Sequence, residues 1–301
     1  ASVDKPFSVV LMLDTSASTR FKMEEIQDAA IAFVNQLRPD DRVMVVSFDD
    51  NIRVLADFSG DRSRLRDAIR RTRTGSGTKL YDAVDMVINK QLNHIDGRKA
   101  IVLFTDGVDT TSRNASYDRN VRDAEELDAL IYPIQYDTYM DMNAGGGSWP
   151  GTGPIVNSPV DILIGILGGG RRGGIGRGPG GGGVGQSRRD YEVANRYLRD
   201  LAYKTGARQY QADSMRNLSY AFENIAEELR RQYNLGYYPK RTPQRGERRQ
   251  VRVRVNQPNL AVRTRDSYVF GRSGTQDTAA AQTPPVLRKK FGPASGGREF
   301  D

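Results

Sequence analysis

Apolar residues in the first 136 positions alternate between short continuous runs and helical spacing. Phe7–Leu13 is almost wholly apolar and ends in polar residues, which is typical of a buried parallel strand. In Lys22–Leu37 the apolar residues lie three to four positions apart and Pro39 follows, which predicts an amphipathic helix. Further strands are predicted over Arg42–Phe48, Ile52–Phe58, Lys99–Phe104 and Leu130–Gln135, with helices over about 61–72 and 79–92. The alternation predicts an α/β fold with a doubly wound, mostly parallel sheet and helices on both faces.

The pattern breaks after residue 138 and resumes at residue 190. Residues 139–189 hold 18 of the 31 glycines, a composition that builds no packed core, so they are predicted to be a Gly-rich insertion. A helix over 190–204, a short strand over Ala207–Gln211 and a long helix over about 214–232 then complete the sheet domain, which comprises 1–138 and 190–232. Alternating valines in Gln250–Asn256, followed by Tyr268–Phe270, predict a basic β-hairpin extension over 233–271. Residues 272–301 are rich in Gly, Ser, Thr, Pro and Gln and are predicted to be a flexible tail.

Several function classes are excluded by composition. The chain has no cysteine, which excludes disulfide scaffolds, thiol nucleophiles, zinc fingers and iron–sulfur clusters. His94 is the only histidine, so a Ser-His-Asp triad or a histidine-ligated metal could be built only around that residue. No apolar run approaches the roughly 18 residues that a membrane-spanning helix needs. Contact with a membrane surface stays open.

The positive charge is concentrated in one segment. The net charge is +8, while residues 230–272 alone carry twelve Lys or Arg and two acidic residues. Arg252 and Arg254 alternate with valines there and are candidate contacts for an acidic protein or anionic lipid, although a half-exposed strand with a solvated face explains the same pattern. The Gly-Arg elements of the insertion resemble RNA-binding tracts, but five arginines with two aromatic residues disfavour nucleic-acid binding.

Oxygen donors follow two predicted strands and precede one helix. Asp14, Ser16 and Ser18 come directly after the first strand, Asp106 follows Lys99–Phe104, and Thr78 ends a Gly-Ser-Gly-Thr loop. Ligands bind at the carboxyl ends of parallel strands, so these side chains are expected to converge. Helix capping explains any one of these loops, whereas three converging loops favour a site for Mg²⁺ or Mn²⁺. Neutral hydroxyls leave such an ion with positive charge, which attracts one more anionic ligand from another molecule.

These residues resemble the metal-ion-dependent adhesion site of von Willebrand factor type A (VWA) domains, and especially bacterial forms. The resemblance is carried by Asp14-x-Ser16-x-Ser18, Thr78 and Thr105-Asp106-Gly107, with Arg38–Val43, Gly77–Val84 and Gly97–Lys99 around them. It covers roughly residues 5–136 and 190–238 and implies the VWA fold. It also implies direct metal contact by Ser16 and Ser18, contact mostly through water by Asp14 and Asp106, and direct contact by Thr78 in the ligand-competent state.

The chain departs from the family pattern beside this motif. Ala17 stands where family members often have glycine, and Thr19-Arg20 follow where they often have methionine. Arg20 either weakens metal binding or helps to hold an acidic group of a partner, so it is a candidate partner-binding residue together with Arg252 and Arg254.

We therefore expect a non-enzymatic, divalent-metal-dependent protein-binding domain for adhesion or assembly. A partner protein would complete the Mg-type ion with an Asp or Glu. The alternative is a structural subunit of a larger multi-subunit complex, docked through the Gly-rich insertion and tail, with the metal site incidental. A hydrolase is disfavoured because the acidic residues are committed to the metal. The chain lacks cysteine and an initiating Met, and members of the family it resembles are often extracytoplasmic. Together these features predict an extracytoplasmic location: periplasmic, secreted or on the cell surface.

Overall fold

The computed structural model describes residues 6–136, 188–212, 214–232, 235, 237, 239–256 and 262–270, with only the backbone course for residues 20–22, 215 and 216. The strands are β1 (Phe7–Asp14), β2 (Arg42–Phe48), β3 (Ile52–Ser59), β4 (Arg98–Thr105), β5 (Leu130–Gln135), β6 (Tyr210–Gln211), β7 (Arg248–Gln250) and β8 (Ser267–Val269). The α-helices are α1 (Met23–Gln36), α2 (Arg62–Arg70), α3 (Leu80–Met86), α4 (Tyr117–Glu126), α5 (Arg188–Thr205) and α6 (Met215–Arg231). A 3₁₀ helix, Ala17–Lys22, precedes α1, and a π-helical segment, Val87–Leu92, continues α3.

Six strands form one sheet in the order β3-β2-β1-β4-β5-β6. Every neighbouring pair is parallel except β2 and β3, which are antiparallel and joined by a tight turn in which Asp49 N donates to Asn51 O at 3.0 Å. The sheet is therefore the predicted mostly parallel one. Because the chain leaves β1 for β2 on one side and later returns to β4 on the other, the order reverses at β1, where ligand sites are found in such sheets.

Helices cover both faces of the sheet. Alternate residues of β1 enter two separate apolar layers, Val9, Leu11 and Leu13 on one face and Val10 and Met12 on the other. The first layer lies under α1, α2 and α6, and the second lies under α3, α4 and α5. Burial on both faces explains why the central strands read as continuous apolar runs rather than as an alternation.

Helix α4 is not predicted by the apolar pattern. Its sequence, YDRNVRDAEE, is mostly polar, and two of its three buried residues are Asn120 and Glu125. Asn120 Nδ2 donates to Tyr197 OH at 2.9 Å and to Tyr81 O at 3.0 Å, so its burial depends on partners from other helices. Hydrophobic periodicity does not detect a helix that packs through polar contacts.

The C-terminal extension contains an antiparallel pair, but its first strand is shifted from the predicted position. β7 covers Arg248–Gln250, so the prediction of a strand over Gln250–Asn256 is wrong for residues 251–256. Val251 N still donates to Asp266 O at 2.7 Å.

The predicted Gly-rich insertion and tail lie outside the described residues, as does most of Tyr233–Tyr238, and the domain boundaries stay predictions. None of the helices in the described part of the chain has the length and apolar character needed to cross a bilayer.

Candidate metal centre

The carboxyl ends of β1 and β4 bring two acidic side chains together. Asp14 is the last residue of β1 and Asp106 follows β4, and these strands are parallel neighbours with Leu13 opposite Phe104. Asp14 is 0% exposed and Asp106 is 1% exposed. Burial of a carboxylate costs free energy unless hydrogen bonds or an opposite charge compensate it.

Hydroxyl groups link the two carboxylates. Ser16 Oγ lies 3.0 Å from Ser18 Oγ, and Ser18 Oγ donates to Asp106 Oδ2 at 3.1 Å. Ser16 N donates to Asp14 Oδ1 at 2.9 Å, and Thr105 Oγ1 donates to Asp14 Oδ2 at 2.6 Å. Four of the five predicted ligands thus form one hydrogen-bonded group. We call this group, Asp14, Ser16, Ser18 and Asp106, the acidic edge.

Thr78 reaches the same end of the sheet on a separate loop. Its backbone N donates to Thr110 Oγ1 at 2.8 Å, and its carbonyl accepts from Thr110 N at 3.0 Å. The loop is also joined to the chain after β1, because Gly75 N donates to Thr15 O at 2.8 Å. The side chain of Thr78 is buried, but its described hydrogen bonds involve its backbone and not the acidic edge.

Two glycines allow the Thr78 loop to lie against the turn between β2 and β3. A Cβ at Gly75 would stand 2.5 Å from the carboxylate of Asp49, which is too short for any real contact. Gly77 has a φ of 49°, a left-handed conformation that other residues rarely adopt. The Gly-x-Gly-Thr spacing in the sequence therefore has a steric cause.

The electrostatics of the acidic edge favour a bound cation. Burial raises the pKa of Asp14 to about 7, with the nearby Asp106 charge adding to the rise and hydrogen bonds from Ser16 and Thr105 opposing it. The pKa of the Tyr136 hydroxyl is also raised well above its usual value, first by burial and then by Asp14 and Asp106. The described groups that act on Asp14 include a second negative charge and no positive one.

Two residues at this edge were not anticipated from the sequence. Tyr136 follows β5, and its hydroxyl lies 3.2 Å from Ser18 Oγ. Gln135, the last residue of β5, donates from Nε2 to Asp106 O at 3.2 Å. The signal that could have found them is the one used for Asp14 and Asp106, since β5 is a third parallel strand that ends at this edge.

The donor set fits a Mg²⁺-type ion. Such an ion takes oxygen ligands, usually keeps several waters and needs only one or two carboxylates. The acidic edge offers two carboxylates and two serine hydroxyls, with Thr78 nearby. In the described part of the chain no three or more His, Cys, Asp or Glu side chains cluster in a way that could hold a metal. The residues therefore suit a partly hydrated, hydroxyl-rich site.

The predicted partner-binding arginines belong to two parts of the chain. Arg20 lies in the 3₁₀ helix Ala17–Lys22, and its side chain is outside what the structure describes. Arg252 and Arg254 are exposed in the C-terminal extension.

Most of the other arginines of the extension are neutralised. Ion pairs join Arg248 to Glu125, Arg249 to Glu247, Arg263 to Glu228 and Arg265 to Asp128. These four arginines therefore have acidic partners within the described part of the chain. Three of the four pairs instead attach the extension to α4, α6 and the turn after α4.

A family model and solved structures resemble this chain. Residues 9–108 match the von Willebrand factor type A domain model. The vWF domain of the type V pili tip protein Mfa5 from Porphyromonas gingivalis is 14% identical, covers 78% of this chain and 98% of that domain, and gives a TM-score of 0.51.

Two longer proteins have a similar but more distant structure. A von Willebrand factor type A protein from Catenulispora acidiphila is 14% identical, with 75% of this chain and 43% of that one covered and a TM-score of 0.49. The pilus adhesin SpaC from Lactobacillus rhamnosus GG is 12% identical, with 75% and 30% covered and a TM-score of 0.49. This chain thus spans less than half of either protein, and identities this low indicate the fold alone.

The matched model runs from Val9 within β1 to the residues just beyond β4 and includes all five candidate ligands. This match spans about a third of the chain, and the sheet order and the helices on both faces agree with the von Willebrand factor type A fold.

Proposed function

We propose that this chain is a non-enzymatic domain that binds another protein through a divalent metal ion, Mg²⁺ or Mn²⁺, at the acidic edge. The observation that supports this most is the burial of Asp14 and Asp106 side by side, joined by serine hydroxyls. Burial of the Asp14 carboxylate beside the negative charge of Asp106 is costly, and a bound cation would offset that cost.

The proposed roles follow the family resemblance. Ser16, Ser18 and Thr78 would contact the ion directly, and Asp14 and Asp106 would act mostly through water. A bound Mg²⁺ supplies a positive charge that these neutral hydroxyls leave largely uncompensated. A partner protein that presents an Asp or Glu at the centre of its contact surface would then complete the site.

The raised pKa of Asp14 does not favour a catalytic role. A carboxyl with a pKa near neutrality could serve as a general base. Asp14, however, is fully buried, so neither of its oxygens is exposed to a substrate. A cation at the edge would also stabilise the ionised form and so lower the pKa again. We therefore assign Asp14 to metal binding.

The proposed setting is outside the cytoplasm. A pilus tip protein has a domain of similar fold, which is consistent with an adhesive or assembly role for this chain at a cell surface, in the periplasm or after secretion. The exposed Arg252 and Arg254 would supply a second contact with an acidic partner, and Arg20 a contact beside the metal.

Calorimetric titration with Mg²⁺ and Mn²⁺ tests the metal centre. The unaltered chain should bind, and Asp14→Asn should abolish binding or weaken it by at least about tenfold, because it removes one of two carboxylates. Asp57→Asn is the matched control, since Asp57 is an exposed carboxylate on the edge strand β3. Equal affinity in the Asp14 variant would overturn the assignment.

Capture of the partner separates this function from the alternative. Metal-dependent binding predicts that a chelator abolishes capture from a lysate of the source organism and that Mg²⁺ restores it. Capture that ignores the chelator would instead support a structural subunit docked through the Gly-rich insertion and tail, with the metal site incidental.

A further inference from the structure

Tyr136 is a buried hydroxyl group at the acidic edge that the proposed ligand set does not use. Its side chain is 3% exposed, and its ring stacks on Phe104 with the centroids 4.7 Å apart. Its backbone N also donates to Thr105 O at 3.3 Å, next to the loop that carries Asp106. Packing and backbone pairing therefore fix where the phenol points.

The donor in each hydrogen bond of the Ser18 hydroxyl follows from the number of its protons and lone pairs. A serine hydroxyl has one proton and two lone pairs. Ser18 gives its proton to Asp106 Oδ2, so Tyr136 OH must be the donor in its 3.2 Å contact with Ser18 Oγ. Tyr136 thus occupies one lone pair of Ser18, and the other is left for the neighbouring Ser16 Oγ at 3.0 Å or for an ion.

We propose that Tyr136 is a positioning residue for the metal centre. This inference rests on the proposed function, in which Ser16 and Ser18 are both ligands. Asp106 holds the proton of Ser18 and Tyr136 holds one lone pair, so the hydroxyl can turn only its remaining lone pair to an ion. An ion that takes this lone pair would replace the contact with Ser16 Oγ, and the two proposed serine ligands already lie 3.0 Å apart before an ion arrives.

If the phenol had only a structural role, its removal would lower the stability of the fold and leave the metal affinity unchanged. The positioning role predicts the reverse. The ring already packs on Phe104, and phenylalanine would preserve that stacking, so loss of the hydroxyl should change stability little. It should instead free Ser18 to rotate and lower the affinity for the ion. Metal affinity and thermal stability therefore separate the two roles.

The test uses the full chain and Mg²⁺ alone as the probe. Tyr136→Phe should weaken Mg²⁺ binding about tenfold by calorimetry, the size typical when a partner of a metal ligand is removed, with an unchanged melting temperature in chelator. Tyr203→Phe is the control, because Tyr203 is 60% exposed and its hydroxyl donates to Asp266 far from the acidic edge.

A second measurement follows the tyrosine directly. Addition of Mg²⁺ to the unaltered chain should produce a tyrosine difference absorbance spectrum with the midpoint of the calorimetric titration. Tyr136→Phe should lose this signal, and Tyr203→Phe should keep it. Mg²⁺ binding without a tyrosine signal, or with equal affinity in Tyr136→Phe, would overturn this inference alone. An unaltered chain that binds no Mg²⁺ would overturn both it and the proposed metal centre.

Discussion

Asp14 and Glu125 are both almost fully buried carboxylates, but their surroundings differ. Glu125 contacts Arg248, lies 3.5 Å from Lys204 Nζ and accepts a hydrogen bond from Ser267 Oγ at 2.7 Å. Asp14 has hydrogen bonds but a second carboxylate as its charged neighbour. Pairing and hydrogen bonds offset the desolvation of Glu125, whereas the charge of Asp14 is left uncompensated until a cation is present.

The stability of Asp14→Asn follows from this contrast. The substitution keeps the shape and one of the two acceptors, which serve Ser16 N and Thr105 Oγ1. Removal of a buried charge beside Asp106 offsets the loss of the other acceptor, so the metal-free fold should not be destabilised. In chelator, we expect a melting temperature equal to or above that of the unaltered chain. A marked decrease would mean that the carboxylate is needed for folding rather than for metal binding.

Glu125→Gln should have the opposite effect. It weakens the contacts with Arg248 and Lys204 at a buried site, and we expect a loss of about 2 kcal/mol in the free energy of unfolding, measured with urea. Glu223→Gln, on the exposed side of α6, should cost less than about 0.5 kcal/mol. Similar values for the two variants would contradict the anchoring role of Glu125.

At the scale of elements, Asp82 connects α3 to the loop that leads into α4. Its carboxylate accepts from the backbone N of Arg113, Asn114 and Ala115 at 3.1, 2.9 and 2.8 Å. Burial alone would raise the pKa of Asp82, but these bonds and one from the Asn114 side chain outweigh it, so the pKa lies below its usual value. The ionised side chain thus fixes residues 113–115 of a loop that is mostly polar.

The sign of this shift predicts a pH dependence. A carboxyl with a lowered pKa in the folded state stabilises the fold above its unfolded pKa, about 3.9, and loses that contribution as the pH falls through the folded value. Asp82→Asn should therefore be less stable than the unaltered chain at pH 7, by about 2 kcal/mol, with the difference shrinking below about pH 4. A difference that is constant with pH in urea denaturation would show that the charge of Asp82 is not what holds the loop.

At the scale of the whole molecule, the sheet carries different features at its two ends. The acidic edge lies at the carboxyl ends of β1 and β4. The C-terminal extension docks near the amino end of β5, because Glu125 and Asp128 lie just before β5 and pair with Arg248 and Arg265. Metal binding and docking of the extension should therefore be separable.

Replacement of Arg263 and Arg265 by alanine tests that separation. Loss of the pairs with Glu228 and Asp128 should make the extension several-fold more sensitive to limited proteolysis and leave Mg²⁺ affinity unchanged. The matched control is Arg252→Ala with Arg254→Ala, two exposed arginines for which the described structure shows no ion pair. Equal cleavage rates in the two double variants would mean that these ion pairs do not hold the extension in place.

The sequence by itself determined the central strands, five of the six α-helices in the described part of the chain and the residues of the acidic edge. Apolar runs such as Phe7–Leu13 and the helical spacing of Lys22–Leu37 are local signals, and the period of burial is set by the element itself. Asp14, Ser16, Ser18 and Asp106 could be grouped in advance because parallel strands end at a shared edge.

Only the tertiary structure decided which polar groups meet across elements. Tyr136 reaches Ser18 across 118 positions of the chain, Asn120 of α4 reaches Tyr197, and the arginines of the extension reach acids more than a hundred positions away or on other helices. Such contacts have no period in the sequence, because each depends on two distant segments that the fold brings together. That is the reason why α4, the neutralised arginines and the role of Tyr136 could not be derived from the sequence, whereas the strands and the ligand motif could.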